Sequence, residues 1–139
     1  MYTDKIVLIT GTSRGIGWEI VHHFLRNHAV VIGMSRGDSI IKHKNYHHFS
    51  VDLSQPEKII EIFKEISKQF KKIDILINNA AVLTSQYSMI MPLKNAVDMV
   101  NVDLLAVFLV SREAAKWMRK NAYGRIINIG SMAASLEPA

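Results

Sequence analysis

The sequence contains no cysteine. That excludes disulfides, thiolate nucleophiles and cysteine-ligated zinc, and it fits the cytoplasm, the expected location. No unbroken apolar run reaches the length of a membrane-spanning helix, so no membrane partner is expected. No basic segment precedes the first apolar run, which has the length of a strand, so no signal peptide is read. Internal repeats, low-complexity tracts and linkers are also absent. The 139 residues are expected to form one domain, 1–139, and the 49% hydrophobic content is enough for a core.

Acidic residues are the minority: 12 Asp and Glu stand against 17 Lys and Arg, a formal charge of +5. Such a balance attracts nucleic acid or a phosphate-bearing ligand. The lysines at 58, 64, 68, 71 and 72 are interleaved with Glu57, Glu61 and Glu65, as on a solvated helix face. No aromatic-and-basic patch or known reader motif accompanies them, so no nucleic acid partner is expected. The six histidines form no H-x-x-x-H pair on a helical face with a carboxylate between, and no metal site is expected.

What the sequence does have is a strand-to-helix turn near its start. Ile6-Val7-Leu8-Ile9 is apolar at every position, the pattern of a strand buried on both faces. Thr10-Gly11-Thr12-Ser13-Arg14-Gly15-Ile16-Gly17 follows, and a helical pattern begins at once. Gly11, Gly15 and Gly17 allow a tight turn and close approach of a ligand to backbone. The helix directs its free N–H groups and dipole at that turn, which favours a phosphate. The spacing G-x-x-x-G-x-G is neither G-x-G-x-x-G nor a P-loop, since no Gly-Lys-Ser/Thr follows. Taken alone, three glycines here also suit an ordinary turn.

The chain then alternates elements. A helix over Gly15 to Asn27 carries Ile16, Ile20, Val21, Phe24 and Leu25 on one face. A second strand covers Ala29 to Met34, giving a β-α-β opening with a parallel crossover. Asp38 to Lys44 has room for one or two helical turns. Tyr46 to Val51 reads as a third strand. Ser54-Gln55-Pro56-Glu57 has the form of a capping box. The helix after it buries Ile59, Ile62, Phe63, Ile66 and Phe70 and closes on Lys71-Lys72. Ile73 to Ile77 is the fourth strand, followed by Asn78-Asn79-Ala80-Ala81. Two amides at a strand end can lock neighbouring backbones; on their own they also suit a plain turn.

Thr84 to Pro92 is an aperiodic loop. One long helix is expected from Leu93 to about Asn121. Its middle, Val102 to Val110, is apolar nearly all round, so one face covers the sheet and the other is expected to meet a second copy. Gly124 to Ile129 is the fifth strand, ending in Gly130-Ser131.

The string Thr10–Gly17 resembles the cofactor motif of the short-chain dehydrogenases/reductases. Ser35-Arg36, Asp52, Asn78-Asn79-Ala80, Asn101 and Ser131 fall in the same order. The resemblance covers essentially the whole length and is nearest in character to bacterial 3-oxoacyl-carrier-protein reductases. It implies an α/β, Rossmann-like doubly wound parallel sheet of strand order 3-2-1-4-5, truncated after the fifth strand. It also implies hydride transfer between a nicotinamide dinucleotide and a small carbonyl or alcohol substrate.

The cofactor would contact Gly11, Thr12, Ser13, Arg14, Gly15, Ile16, Gly17, Ser35, Arg36, Asp52, Leu53, Asn79, Ala80 and Ala81. In such folds an acid at the end of the second strand takes the ribose 2′-hydroxyl, and an Arg accommodates a 2′-phosphate. Here Ser35-Arg36 stands there with no acid before Asp38, and Arg14 lies within reach, so NADP(H) is expected over NAD(H). Both arginines also suit a solvent-exposed role. The resemblance places Asp52 beside the adenine, and Ala81 replaces the family's Gly.

Ser131 would orient the carbonyl and Asn101 would serve a proton relay, although a lone Ser here also suits a turn and a lone Asn a local bend. The family's Tyr-x-x-x-Lys pair is not found: Tyr123 and Lys120 stand in the wrong place and order. The alternative reading is therefore a non-catalytic dinucleotide-binding or interaction module of the same fold.

Overall fold

The computed structural model describes residues 1–131. Five strands form one sheet: β1 (Ile6–Thr10), β2 (Val30–Ser35), β3 (Tyr46–Ser50), β4 (Ile75–Asn78) and β5 (Arg125–Asn128). All neighbours are parallel and the order is β3-β2-β1-β4-β5, as expected. The order reverses beside β1, which is where open α/β sheets place a ligand crevice.

The apolar run of β1 follows from its central place. Successive side chains on a strand point to opposite faces. Leu8 joins Ile32, Met34 and Leu76 in the core beneath α2 (Pro56–Gln69) and α4 (Val107–Lys120). Val7 and Ile9 join Val31, Ile75 and Ile77 beneath α1 (Gly15–Arg26). Both faces are covered, so every position from Ile6 to Ile9 is apolar. At the lower edge, the carboxylate of Asp74 accepts a hydrogen bond from the Ile6 N–H at 2.8 Å and pairs with Lys72 at 2.9 Å.

Five expectations are corrected. The stretch 38–44 contains no helix; it runs as a loop in which Ser39 Oγ accepts from the Ile41 N–H. The capping box does not form: α2 starts at Pro56 with Gln55 as its cap residue and no side-chain cap. Proline has no N–H and a φ preset for helix, so it takes the first helical position and moves the cap past Ser54. The Ser54 N–H is bound instead by the Asp52 carboxylate at 2.9 Å. Lys72 does not close α2, which ends at Gln69; the ion pair with Asp74 holds it.

Ile16 is not on the packed face of α1 but 62% exposed; in the first turn it is the neighbouring Gly17 that packs inward, against the end of β1. Finally, the long helix is not one regular α-helix. α3 (Leu93–Val100) passes into a π-helical segment, Asn101–Ala106, and then into α4. A π segment has one more residue per hydrogen-bonded ring than an α-helix, and such segments are frequent at functional sites.

Candidate dinucleotide-binding cleft

The site is built where β1 gives way to α1. Gly11 has φ +73°, and a Cβ there would lie 2.9 Å from the Ala80 Cα and from the Asn79 side-chain nitrogen. At Gly17 a Cβ would lie 2.1 Å from the Gly11 carbonyl oxygen. Both positions are therefore closed by contact within the protein. Gly15 differs: it has φ +60° and open space where its Cβ would stand. Two glycines pack the turn together, and the third leaves a surface to which a ligand can come close.

The turn is held from both sides. On the β2 side, the Gly11 N–H donates to the Met34 carbonyl at 2.8 Å. On the β4 side, the Asn79 side-chain amide donates to the Thr10 and Gly11 carbonyls, each at 3.1 Å. The backbone N–H groups of Asn79 and Ala80 both donate to the Thr10 hydroxyl at 3.0 Å. Asn79 thus acts as the lock between strand ends that the double amide led us to expect. On the other side Asn78 ties side chains instead, donating to Ser111 Oγ of α4 at 3.0 Å and to Asn128 Oδ1 of β5 at 2.8 Å.

α1 opens with Arg14 at its cap, without a side-chain cap and with no acid in its first turn. Its leading N–H groups and positive dipole end are left for an anion. A cleft of about 430 Å³ opens beside it, a volume ordinary for small-molecule sites. Gly11, Ser13, Arg14, Ser35, Arg36, Asp52, Leu53, Asn79, Ala80 and Ala81 line it, which brings together ten of the fourteen expected cofactor residues. Ala81 is not among the residues with positive φ, so alanine in place of the family's glycine adds no backbone strain.

The remaining residues are placed differently. Gly15, Ile16 and Gly17 belong to the turn without lining the cleft. The Thr12 side chain is buried and faces the Tyr46 hydroxyl at 3.2 Å. Asn101 sits at the start of the π segment and donates to the Ser54 carbonyl at 3.0 Å, linking that segment to the loop that carries Asp52. Ser131 is exposed, just past the end of β5.

Several contributors were not anticipated. Lys94 and Asp98 line the cleft and pair with one another on α3. Their four-residue spacing was a signal for the pair but not for its location. The Asp103 carboxylate accepts from the Val82 N–H at 2.8 Å and holds the loop that leaves β4.

The cleft mixes charges: Arg14, Arg36 and Lys94 against Asp52 and Asp98. Partial burial pushes the Asp52 carboxyl upward. Hydrogen bonds from Ser54 and the attraction of Arg36 and Lys94 outweigh it and hold the group below its ordinary 3.8. Asp52 is thus kept as an anion, able only to accept hydrogen bonds.

The family model described as short chain dehydrogenase matches residues 5–139. The chain belongs to the short-chain dehydrogenase family. It is 34% identical over 134 residues to the 3-oxoacyl-[acyl-carrier-protein] reductase FabG of Buchnera aphidicola subsp. Schizaphis graminum, covering 92% of this chain and 55% of that protein. It is 31% identical over 138 residues to the enzyme of the same name from Vibrio cholerae, covering 95% and 57%. Among solved structures, a short-chain dehydrogenase from Leptospira borgpetersenii with bound NAD+ superposes with a TM-score of 0.90 at 28% identity, covering 99% of this chain and 56% of that one. The chain spans little more than half the length of these short-chain dehydrogenase relatives.

Proposed function

We propose that the cleft binds NADP(H) in preference to NAD(H), and that the complete protein transfers hydride between this cofactor and a small carbonyl or alcohol substrate. The observation that carries the reading is the pair Arg14 and Arg36, both lining the cleft, with no carboxylate at the end of β2. An anion at that position would repel a 2′-phosphate; two guanidiniums attract one. The fit to a dinucleotide is supported by the uncapped helix start and by the open space at Gly15.

In this reading, the glycine turn from Gly11 to Gly17, with Thr12, Ser13 and Ile16, receives the pyrophosphate and its neighbouring ribose. Ser35 and Arg36 face the adenosine ribose. Asp52 and Leu53 flank the adenine, where the ionised carboxylate accepts from its amino group. Asn79, Ala80 and Ala81 form the floor. Bound nicotinamide supplies the hydride chemistry. Ser131 orients the substrate carbonyl, and Asn101 serves a proton path through backbone and water. The relatives named as 3-oxoacyl-[acyl-carrier-protein] reductases support a carbonyl substrate.

The cellular site is taken to be the cytoplasm. No helix among the described residues is long and apolar enough to cross a membrane. Leu93, Val97, Val100, Leu104 and Phe108 form an exposed stripe along α3, the π segment and α4, at 45–79% exposure. We assign this stripe to contact with a second copy.

Titration of the chain with NADPH and NADH, followed by tryptophan fluorescence and calorimetry, tests the cofactor assignment. Tighter binding of NADPH, lost on Arg36→Ala, is the expected result. Equal or tighter binding of NADH would refute the role of Arg36.

A further inference from the structure

Arg36 lies just beyond the last backbone pairing of β2. The register ends at Ser35 opposite Ser50, with the Val51 N–H donating to the Ser35 carbonyl at 2.9 Å. Past that point no ladder holds the backbone that carries the guanidinium. Two side chains of β3 take over. Ser50 Oγ donates to the Arg36 carbonyl at 2.7 Å. His48 Nε2 meets the Gly37 carbonyl at 2.6 Å. A carbonyl only accepts, so His48 carries a proton on Nε2, and in the neutral ring Nδ1 is then an acceptor.

That acceptor is used. The Tyr46 hydroxyl lies 3.2 Å from His48 Nδ1 and 3.2 Å from Thr12 Oγ1. With His48 fixed in this tautomer, Tyr46 donates to His48 and Thr12 donates to Tyr46. The bonds run in one direction, from the glycine turn through Tyr46 and His48 to Gly37. Tyr46, His48 and Ser50 alternate along β3 and so share one face of the sheet. The Tyr46 ring crosses β2 because residue 33 is glycine; a Cβ there would lie 2.2 Å from the Tyr46 oxygen. Two loops that each carry a cleft arginine are thereby fastened to one strand.

We propose that His48 and Ser50 are positioning residues for Arg36, and that they set the preference of the cleft for an adenosine bearing a 2′-phosphate. The proposal rests on reading the cleft as an NADP(H) site and adds the residues that make Arg36 selective. A guanidinium on a freely moving loop gives general attraction to anions. One whose own carbonyl and the next are both pinned offers a fixed fork, and a fixed fork discriminates by geometry.

The test compares adenosine 2′,5′-bisphosphate with 5′-AMP as probes, with affinities measured by calorimetry on the full chain. The carbonyl resonances of Arg36 and Gly37 are followed in parallel by NMR. Wild type is expected to prefer the bisphosphate, and Arg36→Ala to abolish that preference. The double variant His48→Ala/Ser50→Ala should cut the preference about tenfold, the worth of two ordinary hydrogen bonds. It should leave 5′-AMP affinity within about twofold and shift the Arg36 and Gly37 carbonyl resonances. His48→Gln, whose amide can still donate to Gly37, should restore most of the preference.

An unchanged ratio in the double variant, with Arg36→Ala still effective, overturns the positioning role alone. Equal loss of both probes also overturns it, because that is the mark of a merely structural role. Absence of any bisphosphate preference in wild type overturns the NADP(H) reading and the proposal together.

Discussion

β1 and β5 carry comparable apolar runs, Ile6-Val7-Leu8-Ile9 and Ile126-Ile127 with Ile129, yet their surroundings are opposite. Val7, Leu8 and Ile9 are fully buried, whereas Ile126, Ile127 and Ile129 are 41–45% exposed. The cause lies in the neighbours rather than in the residues. β1 has a hydrogen-bonded strand on each side and a helix over each face. β5 has β4 on one side and, among the described residues, an open edge on the other.

The polar locks differ in the same way. Around the glycine turn, Thr10 and Asn79 bond to each other's backbones, whereas at the β5 side the buried Asn78 Oδ1 has no partner among the described residues. The comparison teaches that the glycine-turn end of the molecule is organised in advance by its own hydrogen bonds, while the β5 edge is open among the described residues. A preorganised end binds without first having to order itself.

The largest way to break this contrast is Gly17→Val. Its Cβ would collide with the Gly11 carbonyl, and neither backbone can yield without opening the turn. A loss of about 3 kcal/mol or more in stability, with abolished dinucleotide binding, is expected in a denaturant titration with calorimetry. Asn79→Ala comes next. It strips donors from two backbone carbonyls, and a loss of about 2 kcal/mol is expected, together with weakened binding and faster exchange in the turn.

Asp52→Asn sharpens the electrostatic side. The folded carboxyl titrates below 3.8, so its stabilisation is present above that value and is lost as pH falls through the lower folded value. The variant should be less stable than wild type at neutral pH and should converge with it in acid. Melting temperatures from pH 7 down to pH 2 check this; a gap that stays constant across the range would contradict it.

The smallest effect is expected on the exposed side. Leu104→Glu should change stability by about 0.5 kcal/mol or less, since that side chain is 68% exposed. Light scattering should show reduced self-association.

Much of this was legible in the sequence, for identifiable reasons. Two-faced burial wrote an apolar residue at each of the first four positions of β1, and the glycine spacing marked the turn. Most of the cleft lining followed from strand ends, because a parallel sheet gathers those ends on one side. What escaped depended on register or on local competition. Nothing in the period of Leu93–Asn121 marks the π segment, since one added residue per ring shifts the apolar face without erasing it. Pro56 moved the helix start that Ser54 and Glu57 seemed to define. Lys94 and Asp98 read as an ordinary surface pair. The Thr12–Tyr46–His48 chain required knowing which strand β3 pairs with, and which residue of β2 is small enough to let a ring across.

Dinucleotide recognition, as distinct from substrate contact at Ser131, is proposed to be confined to the preorganised end. The most direct measurement is a titration of isotopically labelled chain with NADPH, followed by amide resonances. Shifts are expected at 11–17, 35–37, 52–53 and 79–81, with Leu104, Phe108, Ile126 and Ile127 unmoved. No shifts, or shifts centred on the exposed stripe and β5, would contradict it.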